Sequence, residues 1–371
     1  MKKNNVLLDM EMCTGCGACY SACPKGAIKM VYNNEGFLYP SIDFDLCIDC
    51  RKCEDVCPVC SKREINGIKN VDALVAKSKV IEKNSASGGV FAILARYVLG
   101  KGGVVFGAAY NESFQVVHTF ITDESDLIKL QGSKYVQSKI GNVYKYVEKF
   151  LKKNRTVLFS GTSCQIEGLR NFLNESYENL ICVDIVCHGV PSPGVWEKYL
   201  RVFHKKRRIE KINFRKESDS EKKEFYIKFL NGLEYRRMYP NDPYIWGFCY
   251  DLFLRKSCYD CKFKGVKRNS DILLGDAWGM RKYVPQIFGR RGKNSIIILQ
   301  TEKGRKIFNE ICDRLVFEAL DVDCVVRENR MIIESAQINR NRDKFFEELH
   351  KNSFRSVLVK YYIKGKVFQE W

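Results

Sequence analysis

The stretch RTVLFSGTSCQIEGLRNFLNESYENLICVDIVCHG, residues 155–189, decides the fold class of this chain. Its two ends are short apolar runs, which are typical of buried strands, and the segment between them has helical spacing. A strand, a helix and a second strand in this order indicate an α/β domain with a largely parallel sheet. Cys164 and Cys187 follow the two predicted strands, at the sheet edge where α/β domains bind ligands.

The same alternation continues on both sides of this stretch. Strand and helix signals alternate from Val71 to about residue 208, and a hairpin is predicted to turn at Asn231 and Gly232. The last part of the chain has a mostly helical, charged pattern. We therefore expect an α/β domain with a mixed sheet over residues 63–371.

The N-terminal segment has a different character. Two runs, CTGCGACYSACP at residues 13–24 and CIDCRKCEDVCP at residues 47–58, have the spacing of bacterial ferredoxins, whose cysteines hold four-iron clusters. Gly15 and Gly17 suit a tight loop around a cluster, because glycine accepts positive φ angles. Short strands are predicted around an Asn-Glu-Gly turn between the runs. We therefore predict an α+β ferredoxin-like module over residues 1–62.

The ligands of the two clusters follow from a rule of two-cluster ferredoxins, in which the fourth cysteine of each run binds the cluster of the other run. Zinc is the alternative, because paired cysteines also build zinc ribbons, but the doubled run with its closing prolines favours clusters. Cys60 lies outside the pattern and is interpreted as a spare thiol. The rule assigns one cluster to Cys13, Cys16, Cys19 and Cys57, and the second to Cys47, Cys50, Cys53 and Cys23.

Composition limits the class of protein. The chain has 371 residues, of which 45% are hydrophobic, so it can form a core and is expected to have more than one domain. No apolar stretch approaches the roughly 18 to 20 residues of a membrane span, and the opening apolar segment is too short for a signal peptide, so we expect a cytoplasmic protein. The 17 cysteines, an odd number, fit metal or redox chemistry better than disulfides.

Charge is less informative than the cysteines. The formal charge of +18 counts every cysteine as neutral, and no nucleic-acid motif accompanies it, so no nucleic-acid partner is expected. The basic run HKKRR at residues 204–208 has two explanations, a docking site for an acidic redox partner and a solvated helix end.

CYDCKF, residues 258–263, holds half of a tetrahedral metal site, and no second pair of cysteines lies nearby. Cys164 and Cys187 are candidates for the missing half. The remaining cysteines of this region are interpreted as small core residues, as their apolar or strand-like surroundings indicate. They are Cys182, Cys249, Cys312 and Cys324.

Two loops are candidates for binding a phosphate-bearing cofactor. SASGG at residues 85–89 lies between a predicted strand and a predicted helix, where backbone amides can face a diphosphate. QGSKYVQS at residues 131–138 adds a lysine and hydroxyl groups in a second loop. When each segment is taken alone, a capped helix and an ordinary loop are the better explanations.

Taken together, these motifs resemble a known family. SASGGVFAILARYVL, QGSKYVQS, VLFSGTSCQIEGLR, VDIVCHGVPSP, CYDCKF and DILLGDAWG have the order found in the beta-subunit family of coenzyme F420-reducing hydrogenases and F420-linked dehydrogenases, over about residues 71–300. The resemblance implies FAD and one four-iron cluster, with electrons passing between the cluster and a deazaflavin as hydride. The implied cluster ligands are Cys164, Cys187, Cys258 and Cys261, and the implied FAD contacts are Ser85, Ser87, Gly88, Gly89, Ser133, Lys134 and Tyr135.

The sequence departs from this family in two places. The hydrogenase subunits lack the N-terminal module, so a soluble ferredoxin or another donor replaces the hydrogenase in our interpretation, and F420 as the substrate stays open. The usual proline before the cysteine of the GTSCQ segment is Ser163 here.

These inferences predict an iron–sulfur flavoprotein oxidoreductase, with an α/β flavin-binding domain after the ferredoxin-like module. Three clusters and FAD would pass electrons between a redox partner such as ferredoxin and a small-molecule hydride donor or acceptor, either coenzyme F420 or another compound. Lys134 is a candidate neighbour of the cofactor, and His188 is a candidate proton relay or hydrogen-bond donor to the cluster. No catalytic acid or base is nominated.

The alternatives are an electron-transfer subunit of a larger redox complex, with no substrate of its own, and a structural zinc protein. The substrate, the direction of electron flow and the oligomeric state, a homo-oligomer included, stay open.

Overall fold

The computed structural model describes residues 11–61, 70–80, 82–204, 208–217, 223–239, 241–288 and 293–367. The predicted domain boundary between residues 62 and 63 and most of the basic run HKKRR lie outside these described residues.

The N-terminal module consists of a hairpin and two short helices. Strands β1 (Ile28–Tyr32) and β2 (Leu38–Ile42) pair antiparallel, on either side of the predicted turn. Helix α1 (Ala18–Ala22) begins inside the first cysteine run, and helix α2 (Lys52–Asp55) begins inside the second. The two runs therefore form equivalent loop–helix units.

The main domain, from residue 70 onward, contains most of the strands and helices. Its strands are β3 (Asp72–Ser78), β4 (Val104–Tyr110), β5 (Val116–Ile121), β6 (Val157–Thr162), β7 (Leu180–Ile185), β8 (Ile209–Glu217), β9 (Lys223–Phe229), β10 (Glu234–Met238), β11 (Ile272–Asp276), β12 (Ser295–Leu299) and β13 (Leu315–Leu320). Its helices are α3 (Val90–Gly100), α4 (Leu127–Leu130), α5 (Val143–Leu151), α6 (Ser163–Leu173), α7 (Pro193–His204), α8 (Pro243–Cys249), α9 (Glu302–Ile311), α10 (Val322–Glu328), α11 (Arg342–Lys351) and α12 (Phe354–Val367).

A mixed sheet of eight described strands organises the main domain, in the order β13-β3-β12-β11-β7-β6-β4-β5. The neighbouring pairs among β4, β6, β7 and β11 are parallel, and the outer pairs are antiparallel. The predicted α/β architecture with a mixed sheet is therefore confirmed. Because parallel neighbours end at the same edge, the segments that follow β6 and β7 lie together.

The sheet is covered on both faces, which explains why its strands are apolar runs rather than alternating ones. Helices α3 and α9 pack on one face, and α5 and α6 pack on the other. Adjacent strand residues point to opposite sides. Val104 and Phe106 of β4, for example, contact the α5–α6 side, whereas Val105 contacts α3.

A second core, rich in aromatic residues, joins the module to the main domain. It combines the three-stranded sheet β10-β9-β8 with α7, α8, α11 and α12. Phe37 and Tyr39 of the module are buried in this core, and the Gly194 amide at the start of α7 donates a 3.1 Å hydrogen bond to the Gly36 carbonyl. The β1–β2 hairpin is therefore packed against the main domain.

The remaining cysteines only partly follow the core prediction. Cys182 is fully buried in β7, as predicted. Cys312, at the end of α9, is partly buried and packs against the core that holds α3 and α9. Cys324, in the first turn of α10, is partly buried and is not part of a core cluster of the described residues, so the core prediction is wrong for it. Cys249 is also partly buried and lies 3.3 Å from the Tyr239 hydroxyl. No helix among the described residues is long and apolar enough to cross a membrane.

Candidate metal centres and cofactor site

The first predicted set of cluster ligands, Cys13, Cys16, Cys19 and Cys57, comes together in the structure. Cys16 and Cys19 are buried, and both have Cys13 and Cys57 as close electrostatic neighbours. Burial raises the pKa of the Cys16 thiol to about 12, and the neighbouring cysteines act in the same direction. Because a thiol must lose its proton to bind metal, such a crowded thiol group is suited to a site where metal compensates the negative charge.

The second predicted set, Cys23, Cys47, Cys50 and Cys53, lines one small pocket at the far side of the module. Cys23 comes from the first run and reaches the pocket of the second, as the crossed assignment requires. Cys50 is exposed. This set therefore lies at the protein surface, unlike the first.

The third predicted set, Cys164, Cys187, Cys258 and Cys261, lines a third pocket. Cys164 is in the first turn of α6, directly after β6, and Cys187 follows β7, so the parallel pair brings these two thiols to one edge of the sheet. Cys258 and Cys261 arrive from the loop after α8. Cys164 and Cys187, the candidates for the missing half of CYDCKF, therefore lie beside Cys258 and Cys261, where the sheet edge meets the second, aromatic core.

Each set brings four thiols close together, and the second and third sets each line one pocket. Four thiols are the donors that a four-iron cluster requires. Among the residues that the structure describes, no three or more His, Cys, Asp or Glu side chains converge closely enough to hold a single metal ion. A cluster spaces its thiolates around a small cube of iron and sulfide rather than around one ion.

Hydrogen bonds shape the third pocket. The Val190 amide donates to the Cys258 sulfur at 3.4 Å, and the Thr162 hydroxyl lies 3.2 Å from the Cys164 sulfur. Burial raises the pKa of Cys187 to about 12 and that of Cys258 to about 11. His188 lines the same pocket, and its Nε2 atom pairs with the Asp251 carboxylate. The part of His188 in proton transfer stays a prediction.

Ser163, which replaces the usual proline, has a structural role. Its hydroxyl donates to the Asp184 carboxylate at 2.9 Å and accepts from the Arg268 guanidinium at 2.8 Å. Asp184 and Arg268 are themselves paired at 3.1 Å and almost fully buried. The serine therefore anchors the first turn of α6, which carries Cys164.

The two predicted cofactor loops meet at the same edge of the sheet. The Gln131 side-chain amide lies 3.4 Å from the Ser85 hydroxyl, which links the QGSKYVQS and SASGG segments. The close packing of the loop on β3 requires glycine at position 88, since a Cβ at Gly88 would lie 2.5 Å from the Ala76 carbonyl oxygen. Ser87 likewise donates to the Asn294 carbonyl at 2.8 Å. The loop thus packs tightly on the sheet and places the N-terminus of α3 at this edge.

Lys134 and Tyr135 are part of the second loop, QGSKYVQS. The Lys134 ammonium donates to the Gln131 carbonyl at 3.0 Å, and burial lowers its pKa to about 8. The Tyr135 ring stacks on Phe248 with centroids 4.6 Å apart. Ser133 precedes them and is partly buried. These side chains place a cation and an aromatic surface in the loop whose Gln131 contacts the SASGG segment.

Asn294 is a site residue that the sequence did not indicate. Its side chain is buried, and among the described residues neither its amide oxygen nor its amide nitrogen has a hydrogen-bond partner. Buried polar atoms in proteins normally have one, so an unpaired amide beside the SASGG loop fits a polar ligand group. An asparagine in the segment GKNS gives no sequence signal of this kind. The donors at this edge therefore fit a phosphate-bearing cofactor such as FAD.

A cavity of about 380 Å³ lies elsewhere, at the junction of the module and the main domain. Gly15 and Gly17 of the first run line one side, and Val116, Ile140 and Trp196 line the other. Its described lining does not include the residues predicted to bind FAD. It is therefore separate from the predicted FAD contacts, although Val136, Gln137 and Ser138 at the end of the QGSKYVQS loop line it.

Comparison with protein families confirms the resemblance inferred from the motifs. Residues 154–324 match the family described as the C terminus of the beta subunit of coenzyme F420 hydrogenase/dehydrogenase, and this match contains the whole third set. Residues 12–60 match the 4Fe-4S dicluster domain, which contains the first and second sets. The chain is thus an iron–sulfur protein related to subunits of F420-linked oxidoreductases.

The similar proteins include the F subunit of F420H2 dehydrogenase from Methanosarcina mazei, with 24% identity over 225 residues. The match covers 57% of this chain and 64% of that relative, so the chain spans somewhat less than two thirds of its length. A solved structure, of the xenon-derivatised F420-reducing [NiFe] hydrogenase complex from Methanosarcina barkeri, has a chain that matches with 14% identity and a TM-score of 0.46. That match covers 80% of this chain and 92% of the other.

Proposed function

We propose that this chain, which carries the C-terminal region of the coenzyme F420 hydrogenase/dehydrogenase beta-subunit family behind a 4Fe-4S dicluster domain, is an iron–sulfur flavoprotein oxidoreductase. Three four-iron clusters are proposed on the first, second and third sets of cysteines. FAD is proposed at the edge formed by the SASGG loop, Lys134, Tyr135 and Asn294. Such clusters carry single electrons, whereas FAD collects two and exchanges hydride with an organic substrate.

The observation that carries this proposal is the serial order of the three cysteine sets. The first and second sets adjoin each other, since Cys19, Cys23, Cys53 and Cys57 belong to one packed group. The first and third sets also adjoin, because Thr14, next to Cys13, lines the pocket of the third set. Ser257, next to Cys258, donates a 3.1 Å hydrogen bond to the Cys13 carbonyl. This arrangement supports electron transfer from the surface to the sheet edge through the first set.

The surface around the second set supports a protein redox partner. Phe44, Leu46 and Ile48 flank Cys47 and are each more than half exposed. Exposed apolar groups are typical of surfaces that bind other proteins. Beside a redox centre, such a surface would bring a partner protein close to that centre. We propose that a one-electron carrier protein, for example a ferredoxin, docks here, and that a small-molecule hydride donor or acceptor, either F420 or another compound, binds at the flavin.

An electron-transfer subunit without a substrate of its own is the second candidate. The relative from Methanosarcina mazei is itself named as a dehydrogenase subunit, which favours this alternative. Turnover of F420 or another hydride acceptor by the isolated chain would support the enzyme. Turnover only after a partner enzyme is added would support the subunit.

The proposal is tested by measuring iron, acid-labile sulfide and FAD per chain in protein purified without oxygen. We expect about 12 irons and one FAD, at four irons per cluster. About 8 irons without flavin would leave only the module's clusters and would contradict the proposal for the main domain.

A further inference from the structure

Arg255 is a buried cation that has no carboxylate partner in the part of the chain that the structure describes. Its side chain is fully buried, and among the described residues its hydrogen bonds go to carbonyl, amide and sulfur atoms, with no ion pair. Two other buried arginines differ, since Arg268 pairs with Asp184 and Arg342 pairs with Glu35. An isolated buried charge is costly, so proteins normally place an opposite charge beside it.

The contacts of Arg255 point to the first set of cysteines as that opposite charge. The Nη2 atom lies 3.5 Å from the Cys13 sulfur, and the Nε atom donates to the Cys13 carbonyl at 2.6 Å. The Nη1 atom donates to Gln137 at 3.0 Å, and Gln137 in turn donates to the Thr14 carbonyl at 2.8 Å. The guanidinium also lies 4.0 Å from the centre of the Tyr39 ring. A cation from the main domain is therefore held inside the module, against a proposed cluster ligand.

The same arginine lies close to the third set. The Cys258 amide donates to the Arg255 carbonyl at 2.9 Å, three residues along the chain. The Arg255 Nε atom and the hydroxyl of Ser257, which precedes Cys258, both donate to the Cys13 carbonyl, at 2.6 and 3.1 Å. One fixed cation therefore acts on ligands of two proposed clusters.

We propose that Arg255 is the counter-ion of the first cluster and makes both the first and the third cluster easier to reduce. This inference rests on the proposed cluster ligands. A cluster that accepts one electron gains one negative charge, and a nearby fixed cation in a low-dielectric site stabilises that charge. Arg255 is thus a positioning and potential-setting residue at the junction through which electrons pass.

The test is a redox titration of the clusters, followed by electron paramagnetic resonance, in the full chain with Arg255→Met. At a fixed potential, we expect the ratio of reduced to oxidised first cluster to fall about tenfold, which is about 59 mV for a one-electron couple. The third cluster should shift less in the same direction, and the exposed second cluster should not shift. Arg342→Met is the matched control, because it also removes a buried arginine that joins the main domain to the module, at Glu35, but one that a carboxylate already neutralises.

Gln137→Glu keeps the inference testable if Arg255→Met loses iron. This near-isosteric change places a carboxylate on the Arg255 guanidinium, so it should lower the same potential while retaining the arginine. Unchanged midpoints in Gln137→Glu, or in an Arg255→Met protein that keeps its iron, would overturn the inference. A shift of equal size in Arg342→Met would also overturn it. A wild-type protein with only about 8 irons would instead refute the proposed third cluster, and the effect of Arg255 on the first cluster would still be measurable.

Discussion

The two cysteine runs of the module have the same spacing and opposite surroundings. In the first run Thr14, Cys16 and Cys19 are buried, and Cys16 packs in the core of α5 and α6, whereas in the second run Ile48 and Cys50 are exposed. Spacing therefore specifies which residues can hold a cluster, and the neighbours of the run specify what the cluster can exchange electrons with. The first run faces the third set of cysteines, and the second faces solvent.

The backbone confirms that the two loops are equivalent. Gly15 and Gly17 have φ angles of 69° and 74°, and the matching residues of the second run, Asp49 and Arg51, both have φ of 56°. The first run has glycine where the second has charged side chains. At Gly15 the reason is clearance, because a Cβ would lie 2.8 Å from the Arg255 guanidinium.

The largest expected effect is the loss of a cluster when the fourth cysteine of either run, Cys23 or Cys57, is replaced. Cys57→Ala should remove about four irons and abolish electron transfer from the surface to the third cluster, because Cys57 belongs to the inner set. Cys23→Ala should also remove about four irons, but a small reductant such as dithionite should still reduce the other two clusters. Iron analysis and the reduced spectra of both variants check this. Equal blockage of the third cluster in both would contradict the crossed assignment.

Acid should lower the free energy of unfolding through His118, a buried histidine of β5. His118 is buried in β5 between the Ser138 hydroxyl and the Ser160 carbonyl, and burial, with the nearby Lys134 charge in addition, lowers its pKa from 6.5 to about 4. The folded protein therefore keeps the His118 ring neutral between pH 6.5 and pH 4, and unfolding in this range is accompanied by the uptake of a proton. The contribution of His118 to the free energy of unfolding should be constant well above pH 6.5 and should fall by up to about 3 kcal/mol as the pH falls to 4.

Urea unfolding of the anaerobic protein at pH 7 and pH 5 checks this expectation. His118→Gln is the control, since its amide can still donate to the Ser160 carbonyl without titrating. A pH dependence of the same size in His118→Gln would show that other groups cause it.

Gly15→Ala should weaken the packing of the first run on the main domain. The new methyl group would meet Arg255 and Gln137 in a strained backbone conformation, so we expect a loss of about 2 kcal/mol in the free energy of unfolding. Gly17→Ala is the matched control, because it has the same positive φ but its Cβ would meet Ile140 at an ordinary 3.7 Å. Equal losses in the two variants, measured by urea unfolding, would assign the effect to backbone strain alone.

The smallest effect concerns the exposed run. Replacing Phe44, Leu46 and Ile48 together by serine should raise the KM for a reduced bacterial ferredoxin about tenfold, because apolar groups that dock are lost. Turnover with a small dye and the iron content should stay unchanged. Val80→Ser, at an apolar side chain that is 65% exposed on the main domain, is the control. An unchanged KM in the triple variant would place the docking surface elsewhere.

Local patterns predicted much of the fold and of the candidate ligands. The α/β elements around residues 155–189 and the doubled cysteine runs are set by residues close in sequence, and they occur where their spacing indicates. Arg255 could not be predicted, because its contact with Cys13 joins residues 242 positions apart. Asn294 was missed for the same reason, since its importance lies in an unpaired amide that only the folded loops reveal. Ser163 appeared as a departure from a family pattern, and the structure gives it a partner in Asp184.

The central claim, that the first set lies between the other two, is tested most directly by electron paramagnetic resonance of the fully reduced protein. We expect the signal of the third cluster to be broadened by magnetic coupling to the first cluster in the wild type, and to become sharp in Cys57→Ala. The same third-cluster signal in both proteins would contradict the serial arrangement, in which the first set passes electrons between the second and third sets.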